Sequence, residues 1–281
     1  MIIINYFRVI VTLILLIATY TTKAQDLRDF EHTLQFADYL FKTQQYTLAS
    51  EEYERAVYYD STNNSALLKL IKAYRFDKKH DIVAQKFDYY FKDSINYLRR
   101  DFAQEYVNNL LYRDEFQQAY NYLDINANIE QGYKQSFQLG ALLLQKNWDN
   151  AFSYALKNAV TNDKKNADLH VIAFRSKQLK YKKPFVAALF STIIPGTGKM
   201  YSKNWKDGVI SLLFVGVNSW QAYRGFHKYG NGSAYGWVFA GFATSFYIGN
   251  IFGSYKSAKK YNEKLDNELY NETWHLMVDD L

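Results

Sequence analysis

The sequence predicts an all-α chain: a helical-repeat solenoid followed by a small transmembrane helical domain. Three observations carry this expectation. A ring-bearing residue that opens a helix recurs at Tyr46, His80, Phe116 and Trp148, spaced 34, 36 and 32 residues apart. That period suits a helix–turn–helix repeat. Only two prolines, Pro184 and Pro195, interrupt 281 residues, which favours long helices over a turn-rich β fold. Three apolar stretches, 185–198, 209–223 and 235–253, come after the basic run "RSKQLKYKKP", the pattern of membrane helices with charged flanks.

The chain opens "MIIINYFRVIVTLILLIATYTTKAQ". Arg8 supplies a positive charge, residues 9–18 an apolar run, and Thr22-Lys23-Ala24 a small-residue cleavage site. Residues 1–24 therefore read as a signal peptide, with an uncleaved anchor as the alternative. Either way, the chain from Gln25 to Lys183 is expected outside the cytosol. The chain has no cysteine, which excludes disulfides, thiolate nucleophiles and thiolate metal sites. The simple leader and the missing cysteines point to a bacterial cell envelope. The formal charge of +6 is scattered or lies beside apolar segments, without the compact basic stripe of a nucleic-acid binder.

Residues 25–165 carry about four repeats. The clearest copy is "FADYLFKTQQYTLASEEYERAVYYDS". It resembles the tetratricopeptide repeat: Ala37 stands at the small position of the first helix, Tyr46 opens the second, and Ala49, Tyr53 and Ala56 come after it in register. Ser61 replaces the usual terminal proline. Small residues at 37, 49 and 56 allow close helix packing, and bulky residues at 40, 46 and 53 fill the space around them. Ala119 and Ala151 each stand three residues after their anchor, and Leu139-Gly140 restores the Leu-Gly pair of a first helix. The second copy is degenerate, with Val83 in the alanine position. An unrelated helical bundle is the alternative.

The resemblance implies an interaction module that binds a protein or peptide in a concave groove. Candidate groove residues on the first helices are Asp38, Lys42, Lys72, Arg75, Asn108 and Tyr112. The Lys and Asn pattern that grips a C-terminal carboxylate in some relatives is not reproduced, since Leu34 and Asp38 stand where its first members would be.

A basic linker helix is expected over 166–183 and a membrane domain of two to three apolar helices over 184–256. Within that domain, "PGTGK" at 195–199 invites comparison with a P-loop, G-x-x-x-x-G-K-[ST]. With Gly198-Lys199 as the Gly-Lys pair, Ile193 stands where the first glycine should be and Met200 where the magnesium-binding hydroxyl should be. No nucleotide is expected here. The stretch reads instead as a turn at the membrane surface. Gly196 and Gly198 supply the reversal, Tyr201 and Trp205 an aromatic belt, and Lys199, Lys203 and Lys206 the head-group contacts. Pro195, Gly196, Gly198, Tyr201 and Gly208 resemble the motif of small bacterial two-helix hairpin domains typified by "PGLGQFY…G", which implies an envelope location.

Along the last apolar stretch, small residues fall every fourth position at Gly241, Ser245, Gly249, Gly253 and Ser257, a spacing that lets helices approach closely in lipid. Asn218, Gln221 and Asn250 are the polar residues of these helices. The tail, 257–281, is expected to continue the last helix and then fray. With three crossings, seven lysines of the 199–206 loop and the tail would lie on the cytosolic side. Two crossings would reverse that.

No catalytic constellation is present: the five histidines lack ligand spacing, and there is no HExxH or GxSxG. No enzyme activity, cofactor or metal is expected. The expected function is a membrane-anchored interaction scaffold, an assembly or accessory factor. It would sit in the inner membrane with its repeats on the periplasmic side, and its partners would be a protein or peptide and the lipid bilayer. The alternative is a small transporter or channel subunit gated by the repeats.

Overall fold

The computed structural model describes residues 29–160 and 163–279; the expected signal peptide, 1–24, lies outside the described residues. Every regular element among the described residues is helical. The chain divides into two compact units, 1–109 and 110–281.

In the first unit, α1 (Phe30–Lys42) pairs with α2 (Tyr46–Tyr59), α2 with α3 (Asn64–Phe76), and α3 with α4 (His80–Phe91). Asp29 caps α1 by accepting from the His32 N–H, and Asn63 caps α3 by accepting from Ser65 and Ala66. Each thereby satisfies N–H groups that lack a partner within the helix. Ala37, Ala49 and Ala56 are fully buried between α1 and α2, and Tyr53 and Leu40 close the space beside them. The boundary between the units falls inside α5 (Arg100–Tyr112).

The turn that leads into each anchor residue is built the same way. Gln44, Lys78, Asp114 and Lys146 occupy the left-handed region, with φ of 61°, 59°, 58° and 55°. Each stands two residues before an anchor. The next N–H donates to the carbonyl five residues back: Gln45 to Leu40, Lys79 to Tyr74, Glu115 to Leu110 and Asn147 to Leu142, at 2.9–3.1 Å. This closes the orphan carbonyls of a helix end. Lys203, two residues before Trp205, repeats the device with φ 61° and a bond from the Asn204 N–H to the Lys199 carbonyl.

The second unit continues with α6 (Phe116–Ile125), α7 (Gln131–Leu144), α8 (Trp148–Lys157) and α9 (Lys164–Lys177). The linker helix expected over 166–183 corresponds to α9, which begins two residues earlier, ends six residues earlier at Lys177 and packs on α7 and α8. Then come α10 (Pro184–Ile193), the single turn α11 (Thr197–Tyr201), α12 (Trp205–Tyr229) and the 41-residue α13 (Ala234–Trp274). The apolar first half of α13 packs on α10 and α12, and its charged second half reaches α7 and α9. A π-helical turn, His275–Asp279, completes the described chain, with Met277 and Val278 buried. The tail expected to fray is therefore docked.

The structure overturns the expected transmembrane domain. No helix among the described residues is long and apolar enough to cross a membrane. The helix α10 has 10 residues, against the roughly 20 a crossing requires. The helix α12 carries Lys206, Asp207, Arg224 and Lys228 along with Asn218 and Gln221. In α13 the apolar half is diluted by Thr244, Ser245, Tyr247 and Asn250 before the charges begin. The inner-membrane location and the lysine-based topology fall with it. Several large apolar side chains stay open here, among them Phe185, Ile193, Trp237 and Phe252.

Ala49 is fully buried between α1 and α2, so Ala49→Leu should overpack that contact. Urea unfolding of the full chain should show a loss of about 1–3 kcal/mol. An unchanged midpoint would place Ala49 away from the helix pair.

Candidate functional site

The first unit presents a groove lined by α1, α2 and α3. Asp38, Phe41 and Lys42 come from α1, Tyr53 from α2, and Lys69 and Lys72 from α3, around a pocket of about 220 Å³. One carboxylate lines it beside three lysines. Lys69 Nζ donates to both Asp38 oxygens at 2.8 Å, and the Tyr53 hydroxyl donates to Asp38 Oδ1 at 2.6 Å. Burial and the neighbouring Asp38 carboxylate push the Tyr53 phenol far above its usual range, so it remains a neutral donor. Asp38 is thus consumed within the protein. Lys72 Nζ lies 3.9 Å from Glu105 Oε1, and its side chain is 41 % exposed. Lys42 is exposed.

Of the six expected groove residues, Asp38, Lys42 and Lys72 line this pocket. Arg75 and Asn108 do not: they are 6 % and 5 % exposed. Arg75 Nε donates to Glu105 Oε2 at 2.7 Å, a buried ion pair joining α3 to α5. A buried arginine needs such a partner, and nothing in the spacing of α3 pointed to Glu105, 30 residues on.

Tyr112 belongs to the second unit, where the chain's own tail takes it. Its hydroxyl donates to the Val278 carbonyl at 3.1 Å, and its ring meets Trp274 edge-on at 6.5 Å. On α7, Gly140 leaves room for Met277: a Cβ there would lie 2.5 Å from Met277 Sδ. Trp148 Nε1 donates to Asp266 Oδ1 at 3.0 Å and Lys146 Nζ to Asn267 Oδ1 at 2.7 Å. The end of α13 and the π turn therefore occupy Tyr112, a first-helix position that was expected to face a separate partner.

The expected turn motif is a packed joint, with a different distribution of roles. Gly196 alone is left-handed, at φ 89°. Gly198 is helical, and close approach is what requires its missing side chain, since a Cβ would lie 1.8 Å from the Ala187 carbonyl oxygen. A Cβ on Gly196 would lie 2.0 Å from the Gly208 carbonyl oxygen, so these two glycines bring α11 and α12 together. Pro195 is half-buried. Tyr201 packs edge-on against Phe190 at 5.5 Å, and its hydroxyl accepts from the Lys183 N–H at 3.3 Å; it is a packing residue of α10 and α11. Ser191 Oγ accepts from the Gly198 N–H at 3.0 Å and meets Ser254 Oγ at 2.7 Å. Ser191 and Ser254 were not anticipated. Within apolar stretches they carry no signal beyond their small size.

On α13 the small-residue stripe does not form a backbone seam. A Cβ on Gly241 or Gly249 would meet nothing within 4 Å, and Ser245 is exposed. The stripe that is buried runs through Gly236, Ala243, Asn250, Ser254 and Ala258. Gly253 faces the Lys199 side chain, with Cε 3.1 Å from where a Cβ would stand. The polar residues of a transport path are not joined. Asn218 Nδ2 bonds Phe214 in its own helix, Gln221 Oε1 accepts from Tyr235, and Asn250 Oδ1 accepts from the Gly196 N–H at 3.1 Å. Among the described residues no group of three or more His, Asp or Glu is placed to hold a metal ion.

No protein-family model, curated protein or solved structure matches this chain.

Two substitutions test the joint and the docked tail. Gly198→Ala places a methyl against a backbone oxygen that cannot swing aside, and should cost at least about 1–3 kcal/mol. Met277→Ala empties a fully buried site and should cost about 2–5 kcal/mol. Chemical denaturation of the full chain measures both. A tail that contributes nothing would leave the Met277→Ala midpoint at the wild-type value.

Proposed function

We propose that this chain is a protein-interaction module whose first unit binds an acidic peptide segment. The observation that supports this most directly is the groove of α1, α2 and α3. Its one lining carboxylate, Asp38, is held by Lys69 and Tyr53, while Lys42 and Lys72 stand at an open apolar pocket with Phe41. Two ammonium groups beside aromatic surface suit carboxylate side chains interleaved with apolar ones. The recurring turn and the alanine positions between α1 and α2 agree with the tetratricopeptide resemblance, and helix pairs of that kind serve as peptide-binding scaffolds.

Fluorescence anisotropy of the full chain with labelled acidic, neutral and basic peptides of equal length tests this reading. The acidic peptide should bind tightest and weaken as salt rises. Each exposed charge pair is worth up to about 1 kcal/mol, so Lys42→Glu with Lys72→Glu should weaken it by about tenfold or more. Equal binding of all three peptides, or an unaffected double variant, would sink the proposal.

A further inference from the structure

Lys199 fails as a P-loop lysine, yet it reaches a pocket of its own. A cavity of about 250 Å³ lies between α12 and α13, lined by Lys199, Ile210, Ser211, Phe214, Phe246 and Asn250. Gly253 has no side chain to block Lys199, whose Cε passes 3.1 Å from the position of a Cβ there. Its Nζ donates to Ser211 Oγ at 2.8 Å, and that hydroxyl in turn donates to the Asp207 carbonyl at 2.8 Å. Among the described residues the ammonium has this neutral hydroxyl and no carboxylate partner.

Asn250 supplies a second, independent sign of a ligand. It is 3 % exposed and lines the same cavity. Its Oδ1 is taken by the Gly196 N–H, but its Nδ2 has no hydrogen-bond partner. A buried amide donor left unmade is costly. The site therefore offers one positive charge, one spare amide NH2 group and walls of Ile210, Phe214 and Phe246.

We propose that this cavity binds a free carboxylic acid with a short apolar body. One carboxylate oxygen meets Lys199 Nζ, the other meets Asn250 Nδ2, and the apolar body lies against Phe214 and Phe246. Two donor groups and one positive charge match a singly charged carboxylate, whereas a phosphate dianion brings two charges against the site's one. The cavity is smaller than the roughly 300 Å³ at the lower end of drug-sized sites, so the body is short.

Titration of the ¹⁵N-labelled full chain with hexanoate, hexan-1-ol, inorganic phosphate and acetyl-Leu-Phe bearing a free carboxylate tests this. Hexanoate should saturate at a concentration at least about tenfold below that of hexan-1-ol, because the charge-assisted bonds are lost in the alcohol. Phosphate should not compete. Lys199→Met, with unchanged thermal unfolding, should lose the preference for acid over alcohol while retaining the weaker binding of both. Phe246→Ser should weaken acid and alcohol alike. Equal binding of acid and alcohol by the wild type overturns the proposal whether or not Lys199→Met folds. Competition by phosphate, tighter binding of the dipeptide, or a folded Lys199→Met that keeps its preference overturns it as well.

Discussion

Five of the helix reversals each rest on one non-glycine residue in the left-handed region. For a residue with a side chain that conformation costs about 1–2 kcal/mol. The cost is met locally, because the turn's two N–H groups both find carbonyls at the end of the preceding helix. Gln44, Lys78, Asp114, Lys146 and Lys203 all do this. The turn delivers the chain antiparallel and puts a fixed position against the preceding helix: Ala49, Val83, Ala119, Ala151 or Gly208. Their N–H groups make the first intrahelical bond of the returning helix in every case. Close packing at these positions then sets what can lie between the helices. At the fifth turn both partners are glycine, Gly196 and Gly208, and the backbones meet more closely than Ala37 and Ala49 allow. Lys199 leaves this joint already directed at Ser211.

The anchors and small positions were legible because each is the same kind of residue in the same place, and ring or alanine spacing survives in the sequence. The left-handed residues were not, because a Gln, an Asp and three Lys have nothing that sets them apart from other surface residues and none is glycine. Composition also misjudged the apolar stretches. Glycine, serine and aromatic residues look like membrane-helix packing, but they dilute hydropathy below what a crossing needs. The groove was half legible. Lys42 and Lys72 come from helical register, whereas the burial of Arg75 depends on Glu105 and the loss of Tyr112 depends on a tail 166 residues away. The tail itself gave little warning. Leu276, Met277 and Val278 are too short a run to show a period.

The helix α13 has two different jobs within the second unit. Its first half presents Gly236, Ala243, Asn250 and Ser254 to α10 and α12. Its second half presents Leu269 and Thr273 to the earlier helices and leads into the π turn that carries Met277. A helix of 41 residues extends about 60 Å at 1.5 Å per residue, so neither half could bury its length alone. Polar groups mark the changeover. Asn262 exchanges hydrogen bonds with the Lys182 backbone at 2.8 and 2.9 Å, and Tyr181 bonds Asp266. These contacts tie the basic run before Pro184 to the helix. Two lysines of the run go elsewhere: Lys177 pairs with Asp149 of α8, and Lys182 stacks on Tyr201 at 4.6 Å.

The two basic sites differ in how their charges are answered, and that difference predicts different behaviour toward anions. In the first unit Asp38 takes Lys69 and Glu105 takes Arg75 with a longer contact to Lys72, so that Lys42 and the 41 % exposed Lys72 stand at the edge of the groove. Charges there act through water and are weakened by salt over a distance of about 8–10 Å. Such a site favours a partner carrying several charges, and its affinity is graded by ionic strength. Lys199 is flanked by Ile210, Phe214 and Phe246 and bonds only a hydroxyl. Its direction is fixed by Ser211 and Gly253. Such a site distinguishes ligands by a single matching charge and the length of the apolar part. A polyanionic segment therefore suits the groove of α1 to α3, and a single carboxylate suits the cavity between α12 and α13.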